Sequence, residues 1–188
     1  MTCFARCEVP LTGGKGLRVD CDRGRRSMSW FPDLSNHTMV ATGDHVRAVG
    51  WLSVSQPFTR GGVPAEFVTR LREFVRLAHL SAEVLSFAMY CGCHNCELCE
   101  RKRDARNFGV PAGPVLYVAP GMISHYVERH EYCPPAEFIA AVMASPLPDT
   151  PEYHSAVVEF GKLHSERWKA YFRSMQGTEP GATAGGTT

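Results

Sequence analysis

The strongest periodic signal in the chain lies between Pro64 and Ala78, where Phe67, Val68, Leu71, Phe74, Val75 and Ala78 recur at helical spacing. Glu66, Arg70, Arg72, Glu73 and Arg76 fall mostly on the other side, so the segment predicts an amphipathic helix with one face in a core. Pro64 suits its first position, because its φ is preset and its missing N–H would be unpaired there anyway. Upstream, Val46 to Leu52 reads as a strand interrupted by Gly50. Downstream, Val84 to Tyr90 reads as another strand, Gly109 to Pro114 as a turn, and Val115 to Ala119 as a third strand. Pro120 then opens a helix with Met122, Ile123, Tyr126 and Val127 as its buried stripe. Pro134 and Pro135 cannot continue that helix and are placed to begin the next, whose apolar face is Phe138, Ile139, Val142 and Met143. After a proline-rich break from Ser145 to Pro151, a last helix from about Glu152 to Met175 carries Tyr153, Val157, Phe160, His164, Trp168, Tyr171 and Met175 at spacings of three and four.

This succession predicts an α+β fold, a small β-sheet with several helices. The 188 residues, 44% of them hydrophobic, suffice for one core and do not demand two. The expected organisation is a flexible arm over residues 1–27, a single domain over 28–176, and a disordered Gly/Thr/Ala-rich tail over 177–188. Trp30 to Ser35 begins the ordered chain, with Pro32 and Asp33 in a turn. No internal repeat is present. A net charge of +1 gives no basic footprint for nucleic acid or an anionic membrane. The apolar runs are strand-sized, so a soluble protein without a membrane partner is expected.

The cysteines change the picture. Of eight, Cys91, Cys93, Cys96 and Cys99 crowd into nine residues around His94. With no basic and apolar leader pattern at the start, a reducing cytoplasm is expected, and Cys3, Cys7, Cys21 and Cys133 read as free thiols. Cys96 and Cys99 form a Cys-x2-Cys knuckle, whose tight turn lets two thiolates grip one ion. After twenty-five intervening residues Cys99 is followed by His125 and His130, a His-x4-His pair within the spacing used by zinc sites. Two soft sulfurs and two imidazoles suit tetrahedral Zn(II). The order strand, knuckle, strand, helix predicts a ββα-like zinc site embedded in the domain. Five residues on an ideal helix subtend about 500°, or roughly 140° around the axis, so His130 must sit where the helix tightens or ends.

Alternatives compete with the Cys96, Cys99, His125 and His130 set. His94 offers another ligand, and joining Cys96, Cys99 and one distal histidine it would free the other as a base. An open metal position of that kind would support a zinc-dependent hydrolase or lyase, with Glu97 or Glu128 as general base. A closed Cys2His2 set would be structural. Arg101, Lys102, Arg103 and Arg106 read as a charged, solvated loop, against a phosphate-binding or weak nucleic-acid patch. His37, His45, His79, His154 and His164 show no motif spacing.

Several motifs resemble a family of small bacterial proteins without an established activity. They are Phe31-Pro32-Asp33-Leu34-Ser35, Val49-Gly50-Trp51-Leu52 with Phe58 and Gly61, and His94-x-Cys96-x2-Cys99. Tyr117-x-Ala119-Pro120 follows, then His125-Tyr126-Val127-x2-His130-x-Tyr132-x-Pro134-Pro135-x-Glu137-Phe138. The resemblance runs from about Trp30 to Val142, implies zinc and a bacterial cytoplasm, and names no substrate; Cys91, Cys93 and Cys133 lie outside its pattern. The function expected from the whole sequence is a zinc-stabilised binding or regulatory module, acting on an unknown protein or small molecule.

Overall fold

The computed structural model describes residues 30–38, 43–84 and 94–164. Its architecture is α+β. A three-stranded sheet has the order β1, β5, β4, with β1 at Val46–Ala48, β4 at Asn107–Ala112 and β5 at Val115–Pro120. Strand β1 runs parallel to β5, and β4 antiparallel to it. A separate two-stranded hairpin joins β2, His94–Asn95, to β3, Arg103–Asp104. Five helices complete the described fold: α1 at Ala65–Arg76, α2 at Ala78–Val84, α3 at Ile123–His130, α4 at Ala136–Ala144 and α5 at Pro151–His164. The arm over 1–27, the tail over 177–188 and the expected strand over 85–90 lie outside the described residues, as do Trp168, Tyr171 and Met175.

Core helix α1 follows the hydrophobic pattern, with Phe67, Leu71, Phe74 and Val75 buried. Phe74 packs near Phe108 of β4 and Tyr153 of α5, with ring centroids 6.1 and 6.4 Å apart. Phe138 of α4 bridges Tyr117 and Phe67. Fully burying such a ring contributes about 1.5–3 kcal/mol. Tyr153, though wholly buried, has its hydroxyl satisfied by the Gly109 carbonyl at 2.9 Å.

Several expected boundaries move. The strand beginning at Val46 stops at Ala48, because Gly50 takes φ +76° and turns the chain. Val84 ends helix α2 instead of opening a strand. Gly109 to Ala112 belong to β4, and only Gly113 and Pro114 turn. Pro111 is tolerated there because β4 is an edge strand and Pro111 faces Leu116, whose own N–H is given to the His45 carbonyl across the sheet. Pro120 closes β5, and α3 begins three residues later, once the Gly121 N–H has bonded the Arg106 carbonyl. Met143 is 46% exposed. It lies about 140° around the helix from Phe138, and Ala141 takes the core position instead.

The segment from Phe31 to Ser35 runs beside β1, with the Leu34 N–H bonded to the Ala48 carbonyl and the Ala48 N–H to the Ser35 carbonyl. Its Asp33 Oδ1 accepts hydrogen bonds from the Gly50 N–H at 2.9 Å and the Tyr132 hydroxyl at 2.8 Å. Burial holds the Asp33 carboxyl above its ordinary pKa despite those two donors. The Trp51 indole donates to the Val118 carbonyl at 3.2 Å. Asp33 thereby ties the Phe31–Ser35 segment to the segment that follows His130, and Trp51 ties the chain after β1 to β5.

Candidate metal centre

Cys96 and Cys99 lie on the turn that closes the β2–β3 hairpin. The Cys96 N–H bonds the Lys102 carbonyl at 2.8 Å, and the Cys96 carbonyl accepts from Glu100 N–H at 2.7 Å. Glu100 itself adopts φ 56°, which turns the backbone back toward β3. Two further anchors seat the hairpin. Glu97 Oε2 accepts from Ser53 Oγ at 2.8 Å and from the Val54 N–H at 3.1 Å. At the other end, Asp104 is buried and bonded through both oxygens to the Arg106 guanidinium, which also donates to the Val75 carbonyl at 3.0 Å. Gly121 fits beside this pair because any Cβ there would stand 2.9 Å from the Asp104 carboxyl carbon.

His125 projects from the middle of α3, and His130 is its last residue. Glu131 then enters the left-handed region at φ 56°, and the Tyr132 N–H folds back to the Tyr126 carbonyl at 3.2 Å. Arg60 donates to the His130 carbonyl at 3.1 Å, and the Gly61 N–H to the Glu131 carbonyl at 2.9 Å. This helix end swings the second imidazole back toward the first. The two Nε2 atoms come to 3.2 Å, although the residues are five apart.

The hairpin and the helix meet at these side chains. Cys96 Sγ lies 3.3 Å from His130 Nε2, and Cys99 Sγ 3.3 Å from His125 Nε2. All four donor atoms lie within 4.8 Å of one another, a group that could hold a metal ion. With metal–nitrogen bonds of about 2.0–2.1 Å and metal–sulfur bonds of about 2.3 Å, a tetrahedral ion sets N···N edges near 3.3 Å and S···N edges near 3.6 Å. The observed spacings are close to those edges.

Electrostatics prepare the histidines for coordination. Burial lowers the His125 pKa, as do His130 and the Lys102 and Arg129 charges; burial and then Arg60 lower that of His130. Both shifts favour the neutral ring, the form with a lone pair to give. Burial raises the Cys96 thiol, partly offset by the Leu98 and Cys99 backbone N–H groups. The shift favours the thiol over the thiolate, so a metal bound there would release protons. Behind the cluster, Tyr126 is buried with its ring 6.2 Å from that of His130, and burial together with the nearby Cys96 raises its phenol pKa.

The other candidates fall elsewhere. The His94 side chain, like Cys91 and Cys93, lies outside what the structure describes. Glu97 is committed to Ser53 and Val54, and Glu128 to Arg72 at 2.7 Å. The expected solvated loop of basic residues is partly structured: Arg103 is in β3 and Arg106 holds Asp104. Cys133 is a half-buried free thiol against its neighbour Pro134's carbonyl. The Asp33–Tyr132 and Asp104–Arg106 contacts, which seat the two halves of the site, join polar residues that no ligand spacing would have connected.

The class is therefore a small α+β domain with a Cys2His2-type cluster compatible with metal binding. Residues 29–143 match the family model described as a domain of unknown function, DUF7919, and the chain belongs to that family. No curated protein and no solved structure matches it.

Proposed function

We propose that Cys96, Cys99, His125 and His130 hold a structural Zn(II) and that the protein is a zinc-stabilised binding or regulatory module of the bacterial cytoplasm. The observation that carries this reading is the pairing of two sulfurs and two imidazole nitrogens at tetrahedral spacing. Soft sulfur with nitrogen favours zinc over the hard, oxygen-seeking cations. Four protein donors leave no position for water or substrate, which supports structure over catalysis. The two carboxylates that the sequence offered as general bases, Glu97 and Glu128, are engaged in holding the hairpin and in an ion pair, so neither is poised as a base. Binding of an unidentified protein or small molecule is the role left to such a module.

The test is metal analysis joined to thermal unfolding. Fresh, reduced protein should carry about one zinc per chain, with the metal's binding energy appearing as folding energy. Cys99→Ser and His125→Ala should lose the zinc and unfold at lower temperature, whereas His94→Ala should keep both metal and midpoint. Protein isolated without zinc would overturn the metal assignment. A chelated parent that unfolds cooperatively near its metal-bound midpoint would overturn the structural role and favour an open, catalytic ion.

A further inference from the structure

We propose that the Cys96–Cys99 pair is a peroxide-responsive switch, in which oxidation to a disulfide expels the zinc and frees the β2–β3 hairpin from α3. This rests on the zinc reading above. Four features of the site support it. The two sulfurs sit three residues apart on one turn and within 4.8 Å of each other. A disulfide needs about 2.05 Å, so the sulfurs have less than about 3 Å to close. Exposure is asymmetric: Cys96 is wholly buried and Cys99 only half so, which gives a small oxidant one sulfur to reach first and a sheltered second sulfur to resolve the product.

Both histidines are also only half-buried, so the ion is not sealed from solvent. Finally, β2 and β3 pair only with each other among the described residues, separate from the three-stranded sheet. The ion would tie that hairpin to α3, while the Glu97 and Asp104 anchors hold it to Ser53, Val54 and Arg106.

The chemistry balances with a hydroperoxide as the oxidant. The Cys99 thiolate attacks one peroxide oxygen; an S–O bond forms, the O–O bond breaks, and hydroxide leaves to take a proton and become water. Cys99 is then a sulfenic acid, a poor ligand. The Cys96 thiolate attacks its sulfur, forming S–S and expelling the second hydroxide, which is also protonated to water. The sulfur pair gives up two electrons, hydrogen peroxide accepts them, and the products are a disulfide, two waters and free Zn(II). A dithiol with added zinc reverses the change.

The experiment treats zinc-loaded full-length protein with hydrogen peroxide, reading released zinc with a chromogenic chelator and cysteine pairing by peptide mass spectrometry. The expected result is zinc content falling from about one per chain to under about a tenth, with a Cys96–Cys99 disulfide and recovery by dithiol and zinc. Cys133→Ser, which removes a thiol outside the cluster, should respond like the parent. Zinc retained at a peroxide dose that oxidises Cys133 would overturn the switch while leaving the zinc reading intact. So would zinc released with Cys99 carried to sulfinic acid, or paired with Cys91 or Cys93. Protein that never carried zinc would overturn the zinc reading first and the switch with it.

Discussion

Replacing Asp33 by alanine removes the one acceptor shared by Gly50 and Tyr132, and with it the link between the Phe31–Ser35 segment and the chain beyond His130. Gly50 and Tyr132 are both buried, so neither donor can turn to water. An orphaned buried donor costs about 1–3 kcal/mol, so Asp33→Ala should lose roughly 2–6 kcal/mol. Tyr132→Phe removes one donor and leaves the carboxylate bonded to Gly50, and should cost about 1–2 kcal/mol. The double variant should lose less than the sum, because the hydroxyl that Asp33→Ala orphans is already gone. Burial disfavours the Asp33 charge, so Asp33→Asn, which is neutral and keeps an oxygen at the same place, should retain most of the stability. For a chain of this size each kcal/mol moves the thermal midpoint by about 2–4 °C, so the alanine variant should melt on the order of 10 °C lower. The assay is urea and thermal unfolding followed by far-UV circular dichroism in zinc-replete buffer. An Asp33→Ala protein within about 1 kcal/mol of the parent, or strict additivity with Tyr132→Phe, would refute the shared-acceptor account.

Gly50→Ala should cost about 2–4 kcal/mol by urea unfolding, since the position needs φ +76° and a Cβ would stand 2.8 Å from Ile123. Gly113→Ala, at φ +58° in open space, should cost only the backbone strain of about 1–2 kcal/mol; equal losses at the two sites would remove the role assigned to Ile123. Asp104 supplies a pH dependence: burial raises its pKa, but the Arg106 hydrogen bonds and charge outweigh burial and bring it below the usual carboxylate range. A depressed folded pKa contributes stability above the unfolded value, near about 3.9, which is lost as pH falls through the folded pKa. The stability gap between the parent and Asp104→Asn should therefore be full at pH 6 and shrink below about pH 4; a gap that widens in acid would contradict the sign.

The helical elements were the most legible part of the sequence. The α1 stripe, the α3 stripe and the start of α4 after two prolines all follow from spacing, because each of those helices buries one continuous face. The end of β1, strand β4 as a whole and the short helix α2 were not legible. Gly50 and Pro111 look like breakers in isolation, and only pairing partners decide that Gly50 ends a strand while Pro111 sits inside one at an edge. The four clustered side chains could be picked out by residue type and spacing, and the angular argument placed His130 at a helix end. What spacing could not supply was the seating of the site. Asp104, Arg106, Glu97 and Asp33 act through partners as far as 99 positions away, and a charged residue in a chain looks the same whether it is solvated or buried against such a partner.

The separation of the two halves also bears on how the protein is made. Cys99 precedes His125 by 26 residues and Cys96 precedes His130 by 34. At a synthesis rate of about 5–20 residues per second, the two thiols emerge roughly 1–7 s before the imidazoles that complete their set. During that interval an ion would meet only half of the cluster, on a hairpin whose α3 partner does not yet exist. Strand β1 waits as well, because its neighbour β5 begins 70 positions later in register, at Val46 opposite Leu116. Among the described residues the β4–β5 hairpin is the first long pairing available to the growing chain, and α3 follows it directly. The four-residue cluster and the full sheet are therefore complete only after His130 has been made, and a metal held there would load after that point.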